Sequence, residues 1–354
     1  VSERAANTAA QRILIVRLSA LGDVMMASGL IPALRSQHPD AHIAWLTESP
    51  AAPLLRQHPL LDEVIVWPRQ QWQQLWRDKQ YGALWRELRS FRRALRERRF
   101  TVALDAQGLL KSGLWAWMSG APRRVGLLAR EGAQWLATER LDPPKAGDPR
   151  IGAEYRALAR HMGAPDEAFR LDLRFDEATH RRALDALAAR KVLPPFAVLC
   201  PFTTRPQKHW FEDRWSALAE RLAMHGITPV LLGGPADRPA AARIASAAPS
   251  AIDLAGQLKL DESVALISHA ALLIGVDTGL THAGSAFRIP TIALFGSTRP
   301  YRDADAPRTA ILYEPLPCSP CKRNPTCGGR FDCMRAHTVD HVFSTAQHLL
   351  AQPA

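Results

Sequence analysis

Ala270-Ala271-Leu272-Leu273-Ile274-Gly275-Val276-Asp277-Thr278-Gly279-Leu280-Thr281-His282 reads as a buried strand that turns, through Asp277-Thr278-Gly279, into a helix rich in small residues. A turn of this kind presents unpaired backbone N–H groups and the positive end of a helix dipole, where an anion can bind. A second strand-to-helix turn, from Ile13 to Asp23, lies near the start of the chain with its own carboxylate. Around these two turns, short apolar runs alternate with longer helical patterns, which implies parallel sheets covered by helices.

In the first half the strand pattern falls on Arg12–Arg17, His42–Leu46, Glu63–Val66 and Thr101–Asp105. Helical patterns cover Val24–Ser36, Ala83–Arg98, Leu109–Ser119 and Arg150–Met162, with a loop over Pro143–Pro149. Leu171–Phe175 reads as one further short strand and Asp176–Arg190 as a helix. The second half restarts the rhythm. Strands fit Phe196–Cys200, Thr228–Leu232, Ala271–Val276 and Thr291–Leu294; helices fit Asp213–His225, Ala236–Ala247, Asp261–Ser268, Leu280–Ala286 and Val339–Ala351. The fold class is therefore α/β, with two Rossmann-like domains facing across a cleft. The boundary is expected within residues 165–195, giving domains over 1–175 and 190–335 and a C-terminal helix over 338–354 that packs back on the first domain.

At 354 residues, 47% hydrophobic and 22% charged, the composition is that of a globular protein with a full core. No apolar run reaches the roughly 18 residues a membrane span needs. Val1–Gln11 is polar and lacks the apolar stretch of a signal peptide, so it reads as a frayed tail and a cytoplasmic location is expected. The net charge of +11 is concentrated: Arg69 to Arg99 holds ten Lys or Arg against three acids, with Trp72, Trp76 and Trp85 interleaved. A solvated helix face would look this way. So would a basic, Trp-bearing segment that meets an anionic lipid surface. No nucleic-acid-binding signature accompanies it, and no nucleic-acid partner is expected.

Four short stretches could carry chemistry. Ser19-Ala20-Leu21-Gly22-Asp23 follows the first strand with a single glycine, which argues against a dinucleotide at this turn. Asp23 fits either a carboxylate offsetting the next helix dipole or a general base that deprotonates an acceptor hydroxyl. Thr203-Thr204-Arg205-Pro206-Gln207-Lys208-His209-Trp210 gathers hydroxyls, N–H groups and a lysine after a strand, which suits a phosphate as well as a polar surface loop. It is not the Walker A pattern. Gly233-Gly234-Pro235 is a tight turn consistent with backbone approaching a ligand.

Together these motifs resemble the ADP-heptose:lipopolysaccharide heptosyltransferases, glycosyltransferase family 9, of GT-B fold. The resemblance runs from Ile13 to the last helix. It rests on Ser19-Ala20-Leu21-Gly22-Asp23-Val24, Asp105-Ala106-Gln107-Gly108-Leu109-Leu110-Lys111-Ser112, Thr203-Thr204 with Lys208-His209-Trp210, and Asp277-Thr278-Gly279-Leu280-Thr281-His282. The second and fourth are most similar to the heptosyltransferase I branch, which adds the first heptose to Kdo of the lipid A inner core. The resemblance implies an inverting displacement with Asp23 as base and Lys208, with Thr203 and Thr204, at the donor pyrophosphate. It implies donor contacts from Asp277, Thr278, Gly279 and His282, and acceptor contacts from Ser19, Gly22, Gln107 and Lys111. Catalysis then needs no cofactor, since a lysine and helix N–H groups can stabilise the leaving diphosphate. The implied partners are an ADP-heptose donor, an anionic glycolipid acceptor and the inner face of the cytoplasmic membrane. Where the family carries an adenosine-ribose carboxylate, this chain reads Gly233-Gly234-Pro235-Ala236-Asp237-Arg238-Pro239, which leaves Asp237 as the substitute.

Cys318, Cys321, Cys327 and Cys333 form C-x2-C-x5-C-x5-C. In a cytosolic chain four cysteines so close together favour thiolate ligation of zinc or iron over disulfides, with reduced thiols in a loop as the plain alternative. Similar clusters occur in protein heptosyltransferases with an iron-binding finger. A structural role is expected, because the cluster lies far in sequence from the donor loops. Cys200, on a strand, reads as core. The rival functions are transfer to a second core heptose or to a protein, and a non-catalytic sugar-nucleotide-binding protein.

Overall fold

The structure is a computed structural model, and it describes residues 11–142, 147–321 and 324–353. The tail read from Val1–Gln11 lies outside the described residues except for Gln11, and the loop read over 143–149 does so at 143–146. The chain divides into two compact units: Val1–Asp148 with Gly152–Arg174, and Pro149–Ile151 with Phe175–Ala354.

The first unit holds β1 (Arg12–Val16), β2 (His42–Glu48), β3 (Glu63–Trp67), β4 (Val102–Asp105), β5 (Arg123–Leu127) and β6 (Glu139–Leu141). They form one six-stranded sheet in the order β3-β2-β1-β4-β5-β6, parallel throughout. Its helices are α1 (Leu21–Ala27), α2 (Leu30–Gln37), α3 (Arg69–Arg77), α4 (Tyr81–Glu97), α5 (Leu110–Met118) and α6 (Ala153–His161). Ile13 to Val16 and Ala103 to Leu104 are fully buried, as central parallel strands covered on both faces must be. Trp72, Phe91, Leu95 and Trp115 fix α3, α4 and α5 to one face of this sheet.

The second unit holds β7 (Phe196–Cys200), β8 (Thr228–Leu231), β9 (Ile252–Asp253), β10 (Leu272–Val276), β11 (Thr291–Phe295) and β12 (Thr309–Tyr313). The sheet order is β12-β11-β10-β7-β8-β9, again parallel throughout. Counted from each unit's own first strand, the two orders are the same. The helices are α7 (Glu177–Ala189), α8 (Glu212–Met224), α9 (Arg238–Ala247), α10 (Leu260–Ile267), α11 (Gly279–Phe287), α12 (Asp332–Arg335) and α13 (Val339–Ala351). In both units the strand order reverses beside the first strand, between β1 and β4 and between β7 and β10. Ligands of open α/β sheets bind at that crevice, beyond the carboxyl ends of the strands.

Three expectations are corrected. The helix read over Val24–Ser36 is two helices, α1 and α2, broken at Ser28-Gly29; a Cβ at Gly29 would stand 2.7 Å from the Phe169 ring, so the break is also a close approach. Leu171–Phe175 is not a strand. The Asp172 N–H is taken by Ser28 Oγ at 3.0 Å and its carboxylate by Arg174 at 2.6 Å, so side chains satisfy this segment where a ladder would have. The last helix, α13, buries Val342, Phe343, Ala346 and Leu349 in the core of the second unit, where the sequence reading sent it to the first domain. Strand β5 and the edge strands β6, β9 and β12 have no counterpart in the sequence reading. β5 opens on two arginines and β9 is two residues long.

Candidate active site

In the first unit the switch point lies between the loops that follow β1 and β4. Arg17, next after β1 and 8% exposed, aims its guanidinium across this point. Its Nη1 donates to the Ala106 carbonyl at 2.9 Å and its Nη2 meets Asp23 Oδ2 at 2.5 Å. The Ala20 N–H donates to the same oxygen at 3.2 Å. Asp23, in the first turn of α1, is therefore held through Oδ2, with its side chain 37% exposed. Behind it the Arg17 guanidinium lies 5.6 Å from the centre of the buried Tyr155 ring. Burial, with a smaller push from the Asp23 charge, raises the Glu154 carboxyl above its ordinary value.

The loop after β4 is built on Asp105, whose Oδ1 accepts the N–H groups of Gln107 and Gly108 at 3.1 and 3.0 Å. Burial outweighs these bonds and raises its carboxyl. Gly108 adopts φ +68°, and a Cβ there would stand 2.2 Å from the Leu127 carbonyl oxygen, so the turn demands glycine. Gln107 turns its Oε1 to the Leu18 N–H at 3.0 Å, tying the β4 loop to the β1 loop. Lys111, in the first turn of α5, donates to Ser19 Oγ at 3.2 Å and to Glu48 Oε1 at 3.1 Å. Arg69 approaches the same Glu48 carboxylate at 3.3 Å. Asp23, Ser19, Gln107 and Lys111 thus lie in separate hydrogen-bonded sets on the segments that follow β1 and β4, and Gly22 lies beside Asp23 inside α1.

The second unit repeats the plan with opposite chemistry. The loop after β7 is closed by His209, whose Nε2 donates to the Thr203 carbonyl at 2.8 Å, and ends in a single 3-10 turn, Pro206–Lys208. The Lys208 ammonium is paired with Asp277 Oδ2, at the end of β10. Thr298 Oγ1 donates to that oxygen at 2.6 Å, and His282 Nε2 lies 3.8 Å from Asp277 Oδ1. Burial pushes the Asp277 carboxyl up. The charges of His282 and Lys208 and the hydrogen bonds from Lys208 and Thr298 more than offset it, and the group ends below its ordinary value. His282 in turn places Nδ1 3.3 Å from the hydroxyl of Tyr301, which burial raises well above the usual tyrosine range.

α11 begins beside this cluster, with Thr278 at its N-cap and Gly279 as its first residue. It lies tight on the sheet: a Cβ at Gly275 would stand 2.1 Å from Thr281 Oγ1, and one at Gly284 would stand 2.2 Å from Thr291 Oγ1. The small residues of the opening stretch are thus what bring the helix N-terminus down to the strand end. Thr203 is half-buried and Thr204 exposed in the β7 loop. Asp237 is committed locally, its Oδ2 accepting the Gly234 N–H at 2.7 Å and closing the turn after β8.

Four residues of these networks went unnoticed in the sequence: Arg17, Glu48, Thr298 and Tyr301. Arg17, Glu48 and Thr298 lie at, or within three residues of, a strand's carboxyl end. Scanning each strand end for polar side chains would have found them.

Cys318 and Cys321 lie in the loop after β12, Cys327 follows, and Cys333 sits buried in α12. The charges of Cys318, Cys321 and Cys327 all act on Cys333, after burial, to raise its thiol. Among the described residues, however, no three metal-ligating side chains are gathered closely enough to hold an ion. The segment is also nearer the site than its sequence distance implied. A Cβ at Gly296 would stand 2.8 Å from Cys333 Sγ, and Ser319 Oγ donates to the Gly296 carbonyl, two residues before Thr298.

The fold agrees with that of known proteins. Residues 88–329 match the family described as glycosyltransferase family 9 (heptosyltransferase). The chain is 31% identical over 329 residues to lipopolysaccharide heptosyltransferase 1 of Pseudomonas aeruginosa, covering 89% of this chain and 87% of that protein. It is 27% identical over 303 residues to lipopolysaccharide heptosyltransferase 2 of Escherichia coli, covering 82% and 84%. The solved ADP-heptose lipopolysaccharide heptosyltransferase II of E. coli has the same fold, with a TM-score of 0.75 at 22% identity over 96% of this chain and 98% of that one. The chain is a glycosyltransferase and belongs to glycosyltransferase family 9, the heptosyltransferases.

Proposed function

We propose that this enzyme moves heptose from ADP-heptose to Kdo of the lipopolysaccharide inner core by an inverting displacement. The observation that carries the reading is the pair of switch-point clusters: a tethered carboxylate in the first unit, and a lysine beside a helix N-terminus in the second. Asp23, held through Oδ2, has Oδ1 to accept the proton of the attacking hydroxyl. Lys208, the α11 N-terminus and Thr203 and Thr204 meet the charge that develops on the departing ADP, so the chemistry needs no cofactor. Asp277, Thr278, Gly279 and His282 orient the donor, with Asp237 on the nucleoside side. Ser19, Gly22, Gln107 and Lys111 receive the acceptor, where Lys111 offers a cation to an acidic group. The first unit is thus the acceptor-binding domain and the second the donor-binding domain. The acceptor is an anionic glycolipid, which puts the enzyme at the inner face of the cytoplasmic membrane.

Transfer from ADP-L-glycero-β-D-manno-heptose to Kdo2-lipid A, with wild type and Asp23→Ala side by side, tests this. Product from wild type alone supports it; product from both removes Asp23 as the base. A second acceptor is worth the same assay. The 27% identity to a heptosyltransferase 2 favours trying a core that already bears one heptose.

The four cysteines carry a proposal of their own. Their sulfur donor set fits zinc or iron, and the bare Gly296 leaves Cys333 Sγ the room it uses. A metal drawn in by Cys318, Cys321, Cys327 and Cys333 would cross-link the segment and serve as structure. Metal analysis of the purified protein checks it; less than stoichiometric metal after growth with zinc and with iron would remove it.

A further inference from the structure

Several large aromatic side chains of the first unit lie open to solvent, and they are connected. Trp76, at the end of α3, is 62% exposed and stacks edge-on with Tyr81 at 5.1 Å between ring centres. Tyr81 and Trp85, 52% and 59% exposed, share one face of α4 with Arg92, since positions 81, 85 and 92 recur at helical spacing. Arg92 lies over the ring of Trp117 on α5, 5.9 Å from its centre. Trp117, Leu114 and Leu110 then line the outward face of α5 at the same spacing, down to the turn where Lys111 stands. Beside that end, a 3-10 turn at Ala133–Trp135 packs on α5 and leaves Trp135 78% exposed, with Arg140 over its ring at 5.3 Å.

We propose that this ridge, from Trp76 to Leu110, is one lipid-contact surface, and that it leads an anionic glycolipid from the bilayer to Lys111. A single exposed tryptophan is ordinary; a connected series with arginines over the rings is not. Tryptophan and tyrosine settle at the depth of lipid headgroups, and arginine there meets phosphate. The neighbouring stripe of α4, carrying Leu84, Leu88, Phe91 and Leu95 about 70° around the helix from Tyr81, Trp85 and Arg92, is used up in packing on the sheet. The outward aromatics therefore add nothing to the unit's own core. The charge of the segment, ten cations against three acids over residues 69–99, selects an anionic lipid surface over a neutral one. The inference rests on the glycolipid-acceptor reading for its purpose, though not for its test.

The experiment is co-sedimentation of the full chain with vesicles of phosphatidylcholine and phosphatidylglycerol in a 3:1 ratio, against phosphatidylcholine alone. Wild type is expected in the pellet with the anionic vesicles. Trp85→Ser with Trp117→Ser should weaken binding about ten-fold or more, as expected for aromatic side chains that lose a buried seat. Arg92→Gln should weaken it about five-fold, the factor for roughly 1 kcal/mol per surface cation. The same variants should turn over a deacylated, water-soluble acceptor at the wild-type rate while slowing on vesicle-borne acceptor. The proposal is overturned if wild type ignores anionic vesicles, if the double variant binds like wild type, or if the soluble acceptor slows equally. A wild type that binds vesicles through these residues yet transfers no heptose would sink the transferase reading and leave the surface standing. Wild type that instead captures a protein and no lipid overturns the surface as drawn.

Discussion

The two units share one strand order and put their polar side chains at the same point of it, yet they hold opposite charges in play. In the first, a buried arginine secures a half-exposed carboxylate, Arg17 on Asp23. In the second, a half-buried carboxylate is paired with an equally enclosed lysine, Asp277 with Lys208, their side chains 15% and 17% exposed. In the proposed function the group put to use is a base in one and a cation in the other. The sheet supplies a place for chemistry, and which member of an ion pair a ligand engages decides what that chemistry is.

The sharpest way to break this comparison is to remove the group each unit brings forward. Asp23→Ala should cost turnover about 10²- to 10⁴-fold with donor affinity unchanged, measured as kcat beside donor titration calorimetry. Lys208→Ala should cost about 10²- to 10³-fold and weaken donor binding as well. If the Lys208 variant binds donor like wild type, the division of labour is wrong.

The supporting partners should matter less and in different observables. Gly108→Ala forces a Cβ against the Leu127 carbonyl at positive φ and should cost about 1–3 kcal/mol in urea unfolding. Gly226→Ala, also at positive φ but with open space around it, should cost less. Thr298→Val removes one hydrogen bond to Asp277 and should weaken donor binding several-fold, about 1 kcal/mol.

Acid gives the smallest effect and the most direct contrast. The lowered Asp277 group contributes stability that is complete above its ordinary value of 3.8 and is lost as pH falls below it. The raised Asp105 group does the opposite: its charge costs stability near neutral pH, and that cost disappears as pH falls through its folded value. Melting temperature against pH should therefore lose slope below about pH 4 in Asp277→Asn, while Asp105→Asn should be relatively more favoured near neutrality than in acid. Parallel profiles for the two variants would refute the contrast.

The central strands and the turns after them were legible because their signals are local. Five buried apolar residues followed by Asp-Thr-Gly can hardly be read otherwise, and Phe196–Cys200 and Val339–Ala351 have the bounds the pattern implied. β5, β6 and β9 escaped because they are polar or short and take their shape from the neighbour they pair with, whereas β12, Thr-Ala-Ile-Leu-Tyr, carried a strand pattern that was passed over. The ion pairs escaped for a related reason. Arg17 and Asp23 are near in sequence, but Lys208 and Asp277 are 69 residues apart, joined by strand order, which no local pattern encodes. Leu171–Phe175 misled because its residues suit a strand while Ser28, from elsewhere, and Arg174, within the segment, take up the polar groups of Asp172.

If Lys208 takes the donor diphosphate as proposed, Asp277 is also its resident competitor. Because its carboxylate already occupies the Lys208 ammonium, an incoming ligand gains that cation by exchange, and must present an anion able to displace a buried, doubly hydrogen-bonded carboxylate. A neutral sugar has nothing to offer in that exchange, and a singly charged group offers little more than the carboxylate it replaces. On the proposed donor site the pair would thus work as a charge filter for the second unit, favouring diphosphates over free sugars.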